Sequence, residues 1–304
     1  MDKRYSAICG YTQDELETSF RDYISKWATE DEVDSSTVLK NIKTWYNGFL
    51  FSAKGIKVYN PWSTLNYFNT GELKNYWFET GTPTFLIDLI QEERFYLQEL
   101  DEYPLEIELF STFEIENLNI VALLFQTGYL TIKRFDQEYQ EYYLGFPNRE
   151  VEDSFFKNLL SAEVNNTGSQ TILSKLRIAL VNNDLELFFD SMDILMSKID
   201  YDLHLKEEKY WQSLFYMILT LLGYKISAEF KTIKGRIDAV IETQSHIYIF
   251  EFKTTSSEEI ALEQIKDREY YKRFRDSNKN IVLVGSRFVL EDKKIVNKYK
   301  SLFL

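Results

Sequence analysis

The chain has few of the residues that carry disulfide and soft-metal chemistry. Cys9 is the one cysteine among 304 residues, so no disulfide framework can form, and the usage fits a reducing cytoplasm. It shows no histidine partner for nucleophilic work and reads as a small buried thiol. His204 and His246 are the two histidines, too few for a histidine-based zinc site, so any metal chemistry has to rest on carboxylates. No apolar run reaches the length of about 18 residues that suggests a membrane helix, and no signal-peptide pattern opens the chain. A membrane partner is therefore not expected. G-x-x-x-x-G-K-[ST] does not occur, so there is no P-loop cradle and no ATP-binding residue to assign.

Aromatic residues, by contrast, are plentiful. With 23 Phe, 21 Tyr and 5 Trp in a chain of this length, disorder is not expected, and the length allows two domains with real cores. The net charge of −13 argues at first against a nucleic-acid partner. Its distribution weakens that argument. Residues 201–304 hold 18 Lys and Arg against 15 Asp and Glu, whereas residues 1–200 hold 17 against 33. The acidity belongs to the front of the chain, where a protein partner could dock, and the slightly basic end permits DNA.

The most informative residues are Asp238, Glu251 and Lys253, spaced as Gly235-Arg-Ile-Asp238, twelve residues, then Glu251-Phe-Lys253. Residues 236–242 and 247–253 are β-branched and aromatic runs joined by polar Thr243-Gln-Ser-His246, the pattern of a β-hairpin. Closure about Gln244-Ser245 makes paired residue numbers sum to 489 and sets Asp238 opposite Glu251. Period-two alternation then puts Lys253 on the face of Glu251, and Ile237, Phe252, Ala239, Phe250, Ile241 and Tyr248 on the other. Facing carboxylates repel by about 0.2–1 kcal/mol, and a cation between them reverses the sign. Oxygen ligands suit Mg²⁺ or Mn²⁺. Such a spacing alone is also that of a solvated strand with a salt bridge. Val240 and Ile249 share the charged face, however, and charges in an apolar setting are usually paired or metal-bound.

Together with Ala261-Leu-Glu-Gln264-Ile and Tyr270, these residues resemble the PD-(D/E)XK nuclease superfamily, most of all the branch fused to AAA-ATPase-like proteins of bacteria. The resemblance implies that Asp238, Glu251 and the main-chain carbonyl of Phe252 are metal ligands, and that Lys253 positions the attacking water or stabilises the pentacovalent phosphate. Ile237 stands where the motif has proline. The family also places an acidic residue on the preceding helix, expected over residues 203–222. Glu208 matches best, with Glu207 a competitor and a solvated first-turn glutamate an equal alternative. Glu229 is a further family-like position. Gln264 corresponds to the helix glutamine that reaches the site, on a helix expected over 258–275 and opened by Ser256-Ser257. Lys266, Arg268, Lys272, Arg273 and Arg275 line its remaining surface, a charge run that reads as a solvated face and that beside a nuclease site could instead hold phosphates. A final strand, Asn280–Gly285, completes an αβββαβ core.

The expected fold class is α+β or α/β, in three segments. Residues 1–100 form a helical region resembling the lid-like end of an AAA-ATPase-like domain, with Thr12 as a helix start, Asn47-Gly48 as a turn, a short hairpin near 49–60, and Trp and Tyr side chains as core. Residues 101–160 form a winged-helix-like connector, acidic enough to favour an interdomain or protein–protein surface over DNA. Residues 161–304 form the restriction-endonuclease-like domain, entered through a linker over 161–172. The missing P-loop makes the chain look like a truncated homologue or a fragment. The function implied is metal-dependent hydrolysis of nucleic-acid phosphodiesters, DNA first. The alternative is a non-catalytic protein-interaction module that keeps the nuclease fold.

Overall fold

The computed structural model describes residues 3–77, 84–93, 97, 100, 102–106, 119–164, 168–199, 208–232, 235–253, 255–291 and 294–304. The chain separates into two compact units, residues 1–93 with 99–155, and residues 94–98 with 156–304. The expected segments 1–100 and 101–160 thus lie largely within one unit. The class is mixed α and β.

The first unit begins with α1 (Gln13–Ser19), α2 (Arg21–Glu30) and α3 (Ser35–Tyr46). Thr12 caps α1 in a capping box with Glu15, as its spacing predicted. Strands β1 (Asn47–Phe49) and β2 (Val58–Tyr59) pair antiparallel, and Asn60 then caps α4 (Pro61–Thr70). Leu16, Ile24, Trp27, Ile42, Tyr46, Tyr59, Tyr67 and Phe68 pack into one aromatic-rich core. Burying such rings requires their polar tips to find partners. Trp27 Nε1 donates to the Phe68 carbonyl at 3.1 Å, and the Tyr46 hydroxyl to that of Lys74 at 3.0 Å. Trp62, expected as core, is exposed on the first turn of α4. Cys9 is exposed too, beyond the short N-terminal 3₁₀ turn, which corrects the expectation of a buried thiol.

Asn47-Gly48 is not a turn. It lies in β1, and Gly48 has φ +123° with a Cβ position only 1.9 Å from the Pro147 carbonyl oxygen. The glycine serves a close backbone approach, and the chain reverses further on, between β1 and β2.

The unit continues through α5 (Thr84–Glu93), β3 (Tyr103–Glu106), α6 (Ile120–Gln126), β4 (Thr131–Asp136), β5 (Glu141–Gly145) and the start of α7 (Arg149–Glu163), which passes into the second unit at Phe156. The three strands form a sheet of order β3-β5-β4. α6 is followed by the antiparallel pair β4–β5. Glu150, in the first turn of α7, is fully buried. Its Oε1 accepts from Ser63 Oγ at 2.8 Å and from the Trp77 amide at 3.0 Å, while Oε2 has no hydrogen-bond partner. Burial pushes this carboxyl up to about 7 against those hydrogen bonds. Between the ordinary carboxylate range and pH 7 the folded protein therefore keeps a proton that the unfolded chain releases. Stability falls as pH rises through that window, and the cost is complete above pH 7. Glu150→Gln keeps an acceptor for Ser63 and Trp77 and removes the charge. We expect it to stabilise the protein by up to roughly 3 kcal/mol at pH 8 and little at pH 4. Thermal denaturation of both proteins at the two pH values checks this; a pH-independent difference contradicts it.

The second unit contains α8 (Ser169–Asn182), α9 (Leu185–Met196), α10 (Glu208–Leu221), β6 (Lys225–Thr232), β7 (Gly235–Glu242), β8 (His246–Lys253), α11 (Glu258–Asp267), β9 (Asn280–Glu291) and β10 (Lys294–Phe303). The linker expected over 161–172 is largely helix, because α7 runs to Glu163 and α8 starts at Ser169. Residues 165–167 between them lie outside the described residues, and Gly168 is left-handed at the N-cap of α8. The strands form one sheet of order β10-β9-β8-β7-β6. Only β8 and β9 pair parallel within it, joined across one face by α11. That face packs Val240, Ile247, Ile249 and Leu283 against Leu262, Ile265 and Tyr270. On the other face Phe215 of α10 meets Phe252 at 4.1 Å between ring centroids, and Phe188 of α9 meets Phe250 at 5.9 Å. The predicted αβββαβ order is present, but the strand from Asn280 passes Gly285 and is followed by β10.

The helix expected over 258–275 also breaks. It ends at Asp267, Glu269 takes a left-handed φ of 54°, and Tyr270–Phe274 form a 3₁₀ turn. No glycine or proline forces this. With Ala261 and Ile265 facing the sheet, an unbroken helix would aim Tyr270 about 140° away from Ile265, at 100° per residue. The break turns Tyr270 into the core instead, where it is buried.

Candidate active site

The β7–β8 hairpin closes through Gln244-Ser245. The Thr243 amide donates to the His246 carbonyl at 2.9 Å, and the His246 amide to Thr243 Oγ1 at 2.9 Å. Pairing runs Glu242↔Ile247, Ile241↔Tyr248, Val240↔Ile249 and Ala239↔Phe250, each pair summing to 489. One step further the side chain of Asp238 takes over from the backbone. Its Oδ2 accepts the Phe252 amide at 2.8 Å, which ties the half-buried carboxylate to β8 beside Glu251.

Glu251 is 2% exposed, on the α11 face of the sheet. Lys253 Nζ donates to its Oε1 at 3.1 Å, and Gln264 Nε2, from α11, donates to the same oxygen. Its Oε2 is buried with no hydrogen-bond partner. Burial and then the neighbouring Asp238 charge push the Glu251 carboxyl up to about 7, against the pull of Lys253 and Arg268. Leaving a buried carboxylate oxygen unpaired is costly. A hard cation would remove that cost, and the donor set is the oxygen type such ions take. The residues fit a divalent cation.

Of the residues singled out from sequence, Asp238, Glu251, Lys253 and Gln264 come together here. Glu208 opens α10, the helix whose Phe215 backs the opposite face of the sheet, and its side chain lies outside the described residues. Glu207 also lies outside them, and Glu229 sits in β6 with its side chain not described. Among the described residues no group of three or more His, Cys, Asp or Glu side chains converges as a metal site. Arg268, grouped above with the solvated helix face, stands instead at the C-cap of α11, where its charge acts on both Glu251 and Asp238. Arg287 of β9 pairs with Lys253. It lies beyond Gly285, where the strand was expected to stop, and period-two alternation carried past that glycine puts it on the same face.

This hairpin, helix and parallel strand define a class: residues 206–298 match the family model of the PD-(D/E)XK nuclease superfamily, and the chain carries a PD-(D/E)XK domain. Nucleases of this superfamily generally use divalent metals such as Mg²⁺. The chain is also 33% identical over 308 residues to a protein of Azotobacter chroococcum mcd 1 named "Uncharacterized protein in vnfD 5'region". That likeness covers 97% of this chain and 57% of the relative, so the chain spans little more than half of that protein's length. No solved structure matches. Among the described residues no helix is long and apolar enough to cross a membrane.

Proposed function

We propose that the protein is a divalent-metal-dependent nuclease that hydrolyses phosphodiester bonds at Glu251. The observation that carries this reading is the buried, unpaired Glu251 Oε2, held beside Asp238 and within reach of Lys253. Asp238 and Glu251, with the Phe252 carbonyl and Glu208, would hold Mg²⁺ or Mn²⁺. A cation held by these groups would supply the positive charge that polarises the phosphate and lowers the pKa of the attacking water. Lys253 holds that water or a non-bridging phosphate oxygen through its ammonium group, which can turn from Glu251 Oε1. Gln264 fixes the Glu251 carboxylate from the helix side, so that Oε2 keeps its aim. Water's oxygen bonds to phosphorus while the ester oxygen leaves with the bonding pair and takes up a proton.

DNA is the first substrate to test. The purified protein is expected to cleave it with Mg²⁺ or Mn²⁺ and not with EDTA. Lys253→Met keeps the aliphatic stem and should lower the rate by roughly 10²–10³-fold, the loss typical of one electrostatic group at a reacting centre. Wild-type protein that leaves DNA and RNA intact with both cations, or a Lys253→Met variant of full activity, would overturn the reading.

A further inference from the structure

Strand register lines up three cations across the α11 face of the sheet. Lys253 of β8 pairs with Arg287 of β9, and Arg287 pairs with Lys298 of β10. Residues paired across a sheet share a face, and the face is fixed by Gly285, two residues before Arg287. A Cβ at Gly285 would meet the Glu258 carbonyl oxygen at 2.3 Å and the Leu262 amide at 2.5 Å, so this row lies on the side covered by α11. Neighbouring strands stand about 4.8 Å apart, so the three positions span roughly 10 Å from Lys253 to the edge strand. Lys253 already faces the Glu251 carboxylate at 3.1 Å. The open need is at Arg287, whose Nε is buried with no hydrogen-bond partner. Arg268 adds a fourth positive charge from the end of α11.

We propose that Arg287 and Lys298 continue the line of Lys253 as a track for the nucleic-acid backbone, seating the phosphates next to the one that is cut. The inference rests on the nuclease reading above and deepens it. The ligand is a polyanionic phosphodiester chain, held by charge and by the guanidinium fork, without reading of bases. Arg287 is the anchor of the track and Lys298 its outer contact.

The test is binding of labelled single-stranded DNA and RNA oligonucleotides in EDTA, by anisotropy over a series of salt concentrations. Arg287→Ala should weaken binding by about tenfold and reduce the slope of log K against log salt by about one contact. Arg287→Lys should keep the slope and recover part of the affinity. Lys298→Ala alters an exposed side chain and should reduce the slope also, which decides the matter should Arg287→Ala fail to fold. The two oligonucleotide arms show which backbone is held. Variants that bind with wild-type affinity and slope, in a protein that binds and cleaves, overturn the track and leave the nuclease standing. A wild-type protein that neither binds nor cleaves either nucleic acid overturns both.

Discussion

Glu251→Gln is expected to abolish metal-dependent cleavage while making the metal-free protein more stable. The substitution keeps the shape and an acceptor for Lys253, and it removes the charge that would bind the cation. Loss of activity should be at least the roughly 10²–10³-fold of a single electrostatic group, and larger if the metal no longer binds. The stability gain has the same origin. Because burial and Asp238 raise the Glu251 carboxyl to about 7, its ionised form costs the folded state stability that is fully lost above that pH. In EDTA at pH 8 the variant should melt above wild type, by about 2–4 °C for each kcal/mol recovered. Added Mn²⁺ should raise the melting temperature of wild type and leave the variant unmoved. An active variant, or one less stable than wild type in EDTA, would show that Glu251 serves packing or ion pairing instead of metal binding.

Gly285→Ala should be the most damaging small substitution in the second unit. α11 rests on β9 at this residue, and the obstacles to a new methyl group are the backbone atoms of Glu258 and Leu262. Backbone cannot swing aside as a flexible side chain does, so α11 has to lift. Overpacking of this kind costs about 1–3 kcal/mol or more. Gln264 is carried on the same helix, so its hydrogen bond to Glu251 should loosen and activity should fall with stability. Thermal denaturation and a cleavage assay on the one variant check both. A melting temperature and rate equal to wild type would mean that the helix does not sit on Gly285.

The part of the site that sequence revealed is the part built from local rules. Alternation in two β-branched runs and a two-residue polar turn fix the hairpin, and the hairpin sets Asp238 beside Glu251. Lys253 followed from period two, and Gln264 from the resemblance to nucleases. What stayed hidden depends on contacts between residues far apart in the chain. Gly285 and Gly48 read as punctuation, yet each marks a place where another backbone comes close. The stop after Asp267 answers the demand of Tyr270 for the core, which no local propensity encodes. Arg287 reaches the site only through the parallel pairing of β8 with β9, which α11 makes possible from the other side of a long connection. Arg268 looked like one more charge on a wet helix until the helix ended beneath it.

The most direct test of the metal-binding account is a crystal of the protein soaked in Mn²⁺ and measured for anomalous scattering. The account predicts one peak between the Asp238 carboxylate and Glu251 Oε2, absent from crystals of Glu251→Gln. A well-ordered Glu251 with no peak, its Oε2 paired instead with a protein group, would contradict it.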